Sequence, residues 1–269
     1  MRISFARAAN RRRTLHALPL GESLPSGSRH KRAGAPGVRH FVCWPSVKVA
    51  RALACAELWL AKGYDVLVML DKDQAPPDDN RICWMNCSVE KFPGYYKVAN
   101  EIARKAFAFG ADLVTMIGDD MDPPEQGAEA VAAMYFARFP DGFGVLQGCG
   151  DTQGMENGVP ASARICGSPT FGEGWANRAY GGKGPFCDEY TSFYGDEDLW
   201  NVAKKCGVLL LEPSVTIFHR HWSFGHMQKQ KYQQNNEGNW ALCKATFERR
   251  VGPSRQNPNF PGWEPCASS

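Results

Sequence analysis

A chain of 269 residues, 43% hydrophobic and 12% aromatic, holds enough apolar material for one large core. None of its apolar runs reaches the roughly 20 residues of a membrane-spanning helix, which argues against an integral membrane protein. The formal charge of +3 is misleading: eight of 31 Lys and Arg but one of 28 Asp and Glu lie in residues 1–37, leaving 23 basic against 27 acidic residues elsewhere, so net charge does not make the body a nucleic-acid binder.

Residues 1–37 combine that basic excess with Gly, Pro and Ser and read as a disordered arm. Basic residues recur there without an apolar stretch, so no signal peptide is expected. From residue 39, "RHFVCW" is a strand and "PSVKVARALACAELWLAKG" a helix, with Val49, Leu53, Ala56 and Leu60 on one face and Gly63 as its stop. "YDVLVML" and "RICWM" are two further strands. "YYKVANEIARKAFAFG" is a helix, "DLVTMIG" a fourth strand, "EQGAEAVAAMYFARF" a third helix and "FGVLQG" another strand. Strands alternating with helices predict an α/β fold with a mostly parallel central sheet flanked by helices.

Residues 148–194 are rich in glycine and aromatics without long periodic runs, and predict loops around a pocket. "DEDLWNVAKKCG" is a short helix closed by Gly207, and "VLLLE" and "SVTIFHRHW" are strand-like. A polar helix follows through "KATFERR", and residues 251–269, with four prolines, form a tail. The domain reading is one catalytic domain over 38–250, with a nucleotide-binding part at about 38–150 and a loop-rich acceptor side at about 151–250.

Ten cysteines are scattered along the chain, several of them (Cys43, Cys55, Cys206) inside apolar segments, as reduced buried thiols often are. Cys83 and Cys87 form a lone pair with no histidine nearby, weak grounds for zinc. A reduced, cytoplasmic setting is the expectation.

In parallel sheets, ligands gather at the carboxyl ends of the strands, where Asp71, Asp119 and Asp120 fall. The segment after the first strand, "WPSVKVA", lacks the glycine fingerprint of a dinucleotide site. In "VTMIGDDMDPPEQG", adjacent carboxylates repel one another unless a cation compensates. A hard divalent ion, Mn²⁺ or Mg²⁺, suits such oxygen ligands and can also hold phosphates. Asp122 and Glu125, across two prolines, resemble a capping box for the following helix. A second acidic group, Asp196, Glu197 and Asp198 in "YGDEDLW", offers a helix cap and a base. His219 and His221, two apart in "FHRHW", point the same way if extended, and either could complete a metal site. Trp175, Tyr180 and Trp222 are candidates for stacking on a sugar, with core packing as the alternative.

The succession "IGDDM", "YGDEDLWNVAKKCG" and "IFHRH" resembles the GT-A-type nucleotide-diphospho-sugar glycosyltransferases, in a family 2-like pattern, over about residues 39–250. The resemblance implies a GT-A-like fold and a metal-dependent transfer from a nucleotide-diphospho-sugar, such as a UDP-sugar, to an acceptor hydroxyl, with inversion. It implies Asp120 as the main metal ligand, Asp119 beside it, and His219 or His221 as the C-terminal ligand. It assigns Asp71 to the base, Pro45 and Ser46 to the nucleotide pocket and Asn100 to the nucleotide. Lys48 is the basic residue nearest to where the family has an Asn-Arg pair. Asp196 is implied as catalytic base, with Glu197 and Asp198 as rivals. Gly118 stands where the family pattern has a third acid. The acceptor is left open among a saccharide, another hydroxyl compound and a hydroxymethylated base in DNA. The alternatives are a metal-dependent nucleotidyltransferase or phosphohydrolase, and a non-enzymatic nucleotide- or glycan-binding module.

Overall fold

Side-chain alternation along the first strand sets the layering. In β1 (His40–Ser46), Phe41 and Cys43 enter one core and Val42 and Trp44 another, so both faces need cover. The neighbouring strand β2 (Asp65–Leu70) repeats the pattern, with Leu67 and Met69 on the first side and Val66, Val68 and Leu70 on the second. Helix α1 (Val49–Leu60) covers the second side with Ala52, Cys55, Ala56 and Trp59. Helix α2 (Tyr95–Ala108) covers the first with Val98, Ala99, Ile102, Ala103 and Ala106, small enough to let it lie close to the sheet.

The computed structural model describes residues 37–87, 93–149, 155–156, 159–160, 165–220, 226, 228 and 237–252. The chain continues through β3 (Ile82–Asn86), β4 (Leu113–Met116), β5 (Met121–Asp122), α3 (Ala128–Arg138), β6 (Val145–Cys149), β7 (Met155–Glu156) and β8 (Val159–Pro160). It ends with β9 (Pro169–Gly172), α4 (Glu173–Arg178), α5 (Gly195–Lys205), β10 (Leu209–Thr216), β11 (Phe218–His219) and α6 (Trp240–Val251). The central sheet has seven strands in the order β10-β6-β9-β4-β1-β2-β3. All pairings are parallel except those of β9, which runs antiparallel between β4 and β6. This is the α/β architecture expected, a mostly parallel sheet flanked by helices and consistent with a GT-A-like fold. No helix among the described residues is long and apolar enough to cross a membrane. Nine described cysteines, Cys83 and Cys87 among them, form no disulfide.

Three details differ from the sequence reading. Strand β9 and helix α4 lie inside the stretch expected to be loops. β10 runs on through Pro213, which an edge strand tolerates because its outer N–H groups need no partner; the ladder shifts between Glu212 and Thr216. The capping box does not form: α3 starts at Ala128 after Gly127, with no side-chain cap. Asp122 lies in β5 instead and pairs with Arg220.

Two buried polar clusters tie separate elements together. The His40 Nδ1 lies 3.3 Å from the Ala128 carbonyl, which can only accept, so the neutral ring donates there. Its Nε2 then accepts from Thr115 Oγ1 at 2.7 Å, and Thr115 accepts from Thr170 Oγ1 at 2.6 Å. This chain crosses from α3 through β1 and β4 to β9. The second cluster is the fully buried Asp198 on α5, which takes Arg250 Nε at 2.8 Å, Arg250 Nη2 at 3.3 Å and Tyr190 Oη at 3.1 Å. Burial opposes the Arg250 charge, yet Asp198 raises its pKa. The pair fastens α6 to α5.

Both clusters make predictions. Burial lowers the His40 pKa to about 4, against the opposing pull of the Ala128 hydrogen bond. The unfolded chain, with an ordinary pKa near 6.5, binds the extra proton first as pH falls. The contribution of neutral His40 is therefore complete above about pH 6.5 and shrinks toward pH 4, by about 3 kcal/mol in all. Urea unfolding at pH 7 and pH 5 should show wild type losing about 2 kcal/mol more than His40→Gln over that interval, and equal losses would refute the assignment. Arg250→Ala strands a buried carboxylate and should cost about 3–5 kcal/mol, whereas Asp198→Leu combined with Arg250→Met should recover most of it.

Candidate active site

Strand β4 is buried throughout, and the chain leaves it through Ile117 and Gly118 before reaching two acids at the edge of the sheet. Asp119 turns back into the protein. Its carboxylate accepts from Ser46 Oγ at 2.6 Å, at the end of β1, and forms an ion pair with Arg51 from the first turn of α1. Burial pushes the Asp119 pKa up, outweighing Arg51 and Ser46, which pull it down. Asp120 goes the other way. Burial acts to raise its pKa as well, but the hydrogen bond and charge of His219, with the charge of Arg51, carry it below the usual carboxylate range.

His219 reaches Asp120 through a short ladder. β5 and β11 pair antiparallel, with Met121 opposite His219 and Phe218 opposite Asp122. The Arg220 N–H donates to the Asp120 carbonyl at 2.9 Å, and the Arg220 guanidinium grips Asp122. From α1, Trp59 Nε1 donates to the Met121 carbonyl at 2.9 Å. The outcome is a separation of 3.4 Å between Asp120 Oδ1 and His219 Nε2, both largely buried.

The donor set fits a divalent cation. Ligands about 2.1 Å from an octahedral ion and at right angles to one another lie about 3 Å apart, close to the Asp120–His219 spacing. Carboxylate and imidazole together suit Mn²⁺, and Mg²⁺ is served by the carboxylate. Among the described residues no group of three or more His, Cys, Asp or Glu is gathered as a metal site, so the other positions would fall to substrate phosphate and water. A Cβ on Gly118 would stand 2.5 Å from Asp120 Oδ1. Asp120 itself fills the space that a third acid would use.

The remaining expected nucleotide residues divide. Pro45 is half-buried in β1, Ser46 bonds Asp119, and Lys48 is exposed at the start of α1. Asp71 is exposed just after β2, and its pKa is raised by partial burial and then by Asp73. Gln74 Nε2 donates to the Val47 carbonyl at 2.7 Å, which joins the loop after β2 to the loop after β1. Asn100 does not face this cluster's ligand space. Its Nδ2 donates to the Phe186 carbonyl at 2.9 Å and its Oδ1 accepts the Phe186 N–H at 3.0 Å, so it is a buried tether for that loop.

The second acidic motif is sorted by burial. Asp196 and Glu197 are half-buried in the first turn of α5, while Asp198 is sealed in its pair with Arg250. A base must meet its substrate, so Asp198 is withdrawn from that role. Asp196 Oδ1 accepts from Tyr96 Oη at 3.2 Å and from the Glu197 N–H at 3.0 Å. Trp175 is not a sugar platform either, and Tyr180 is half-buried beside Arg250. Trp175 is wholly buried with its Nε1 on the Pro185 carbonyl at 3.1 Å, and the Tyr180 ring lies 5.7 Å from the Arg250 guanidinium carbon. Among the described residues, Trp240 is an exposed aromatic, 45% accessible, with its ring 6.0 Å from that of Tyr194 at the start of α5. His221 and Trp222 lie outside the described residues.

Sequence reasoning passed over Arg51 and Tyr96. The trace of Arg51 was a lone guanidinium in an apolar helix, one turn beyond Ser46. That of Tyr96 was its place with Ala99 and Ala103 on the apolar stripe of α2.

No protein-family model matches the chain, and no curated protein matches it. Among solved structures, it is similar to a glycosyltransferase involved in the glycosylation of the major capsid of PBCV-1, at 8% sequence identity and a TM-score of 0.32. The match covers 51% of this chain and 61% of that one, under two thirds of that protein's length. A likeness this slight decides nothing about activity, so the case for chemistry rests on the side chains of the site.

Proposed function

We propose that the chain is a glycosyltransferase that moves a sugar from a nucleotide-diphosphate donor to an acceptor hydroxyl. One observation carries this reading: Asp120 and His219, remote in sequence, meet at 3.4 Å beside the Ser46–Asp119–Arg51 cluster at the carboxyl edge of the sheet. The half-buried Asp196 supplies a separate carboxylate on the first turn of α5.

Asp120 and His219 would hold a divalent cation. When bound, such an ion supplies positive charge to a diphosphate and stabilises it as a leaving group. Ser46 and Arg51 keep Asp119 directed inward, leaving Asp120 as the carboxylate beside the imidazole. Lys48, exposed at the head of α1, and Asp71, after β2, line the nucleotide side. Asp196 removes the proton of the attacking hydroxyl, and Glu197 is the neighbouring alternative. A single base on the acceptor side suits direct displacement at the sugar carbon, with inversion. Trp240 and Tyr194 take the place that the buried Trp175 cannot fill as acceptor-side aromatics, with the half-buried Tyr180 as a further candidate.

A screen of nucleotide sugars with Mn²⁺, read by thermal shift and by release of nucleoside diphosphate, tests the reading. Asp120→Ala should weaken cation-dependent donor binding by about 100-fold or more, the worth of several kcal/mol. Asp196→Asn should keep donor affinity within about threefold and slow transfer by about 10²–10⁴. Pyrophosphate release from a nucleoside triphosphate, or donor binding indifferent to both Mn²⁺ and Asp120→Ala, would overturn it.

A further inference from the structure

The contact between α2 and the first turn of α5 is more specific than packing requires. Tyr96 is 4% exposed, and its ring is held by Tyr95 at 5.2 Å, Phe186 at 5.4 Å and Tyr190 at 6.2 Å. From that fixed base its hydroxyl makes two bonds to one residue. It donates to Asp196 Oδ1 at 3.2 Å and accepts the Asp196 backbone N–H at 3.1 Å. The first N–H groups of a helix lack intrahelical partners, so the phenol oxygen satisfies one of them while its proton goes to the carboxylate. With the Glu197 N–H also on Oδ1, two rigid donors converge on one oxygen and set the orientation of the group. Burial, and then the charge of Asp196, push the phenol pKa well above its ordinary value, so the donor keeps its proton.

Gly195 is an independent sign that the chain is built around this contact. A Cβ there would stand 2.5–2.6 Å from three ring carbons of Tyr96. Only the absence of a side chain lets the ring pass beneath the start of α5.

We infer that Tyr96 is a positioning residue for the base: it fixes the Asp196 carboxylate in the orientation from which it takes the acceptor's proton. This rests on the reading of Asp196 as the base of a glycosyl transfer.

Tyr96→Phe removes one oxygen and keeps the ring. With wild type turning over a donor and an acceptor, the variant should lose about 10- to 100-fold in kcat, the scale of a misaligned reacting group, while donor KM and Mn²⁺-dependent donor affinity move less than twofold. Because Tyr96 acts through Asp196, adding Tyr96→Phe to Asp196→Asn should slow transfer no further. An unchanged kcat per folded molecule, or losses that multiply in the double variant, would overturn the inference while leaving the glycosyl-transfer reading intact. Gly195→Ala pushes the ring and the helix start apart without deleting either group, so it should lower kcat in the same way and decides the matter if Tyr96→Phe fails to fold. Wild type with no transfer from any donor would overturn the parent reading and this inference together.

Discussion

Met121 faces His219 across an antiparallel ladder two residues long, and that ladder decides whether Asp120 meets an imidazole. So short a pairing is weak by itself. It holds here because its surroundings are fixed independently: Met121 and Ile217 are buried in the core beneath α1, Trp59 hydrogen-bonds the Met121 carbonyl, and Arg220 clamps Asp122 from the outer side. The candidate cation site thus borrows its rigidity from the hydrophobic layer between α1 and the sheet. A disturbance of that layer reaches Asp120 by way of Met121, without touching either candidate ligand.

Two neighbouring carboxylates of the same intrinsic acidity end with pKa values displaced in opposite directions. Both are desolvated, so burial cannot be what separates them. The difference lies in partners: Asp119 is turned to Ser46 and Arg51 inside the protein, while Asp120 stands against His219. The geometry divides them: Asp119 is held inward by Ser46 and Arg51, while Asp120 faces the imidazole of His219. The same division recurs in the other acidic motif, where Asp198 is consumed by α6 and Asp196 is left half-accessible.

What could be read from the sequence follows what each signal measures. Long periodic runs report burial directly, so β1, α1, β2, α2 and β4 were readable, and with them the carboxyl edge where Asp119 and Asp120 sit. β9 was not, because four residues beginning with proline and ending with glycine carry no alternation. Asp120 and His219 were each legible as candidates because each follows an apolar segment, but their pairing was implied only by the resemblance to the GT-A-type enzymes, with His221 as the open alternative. Asn100, Trp175 and Asp198 misled for the opposite reason. A polar or aromatic side chain looks alike in sequence whether it faces a substrate or a partner elsewhere in the chain. Asn100 is claimed by Phe186 and Asp198 by Arg250, 86 and 52 residues away. The capping box failed likewise, since its local pattern was outbid by an ion pair spanning 98 residues.

The start of α5 shows how these long-range contacts bear on function. Tyr96 holds it from α2, and Asp198 holds it from α6 through Arg250, with Tyr190 on the same carboxylate. These anchors come from different helices, so the first turn of α5 cannot rotate without breaking these hydrogen bonds. Tyr194, just before it, has the left-handed backbone of φ 67°, an arrangement that costs about 1 kcal/mol or more in a non-glycine residue and persists only when its surroundings enforce it. The chain accepts that strain where the turn must deliver Asp196 to the open side of α5 and Asp198, two residues on, to its buried side. A helix start pinned this firmly holds the half-accessible Asp196 carboxylate in one direction; in the role proposed for it, that direction would be set before any acceptor arrives, the condition under which orientation accelerates proton transfer.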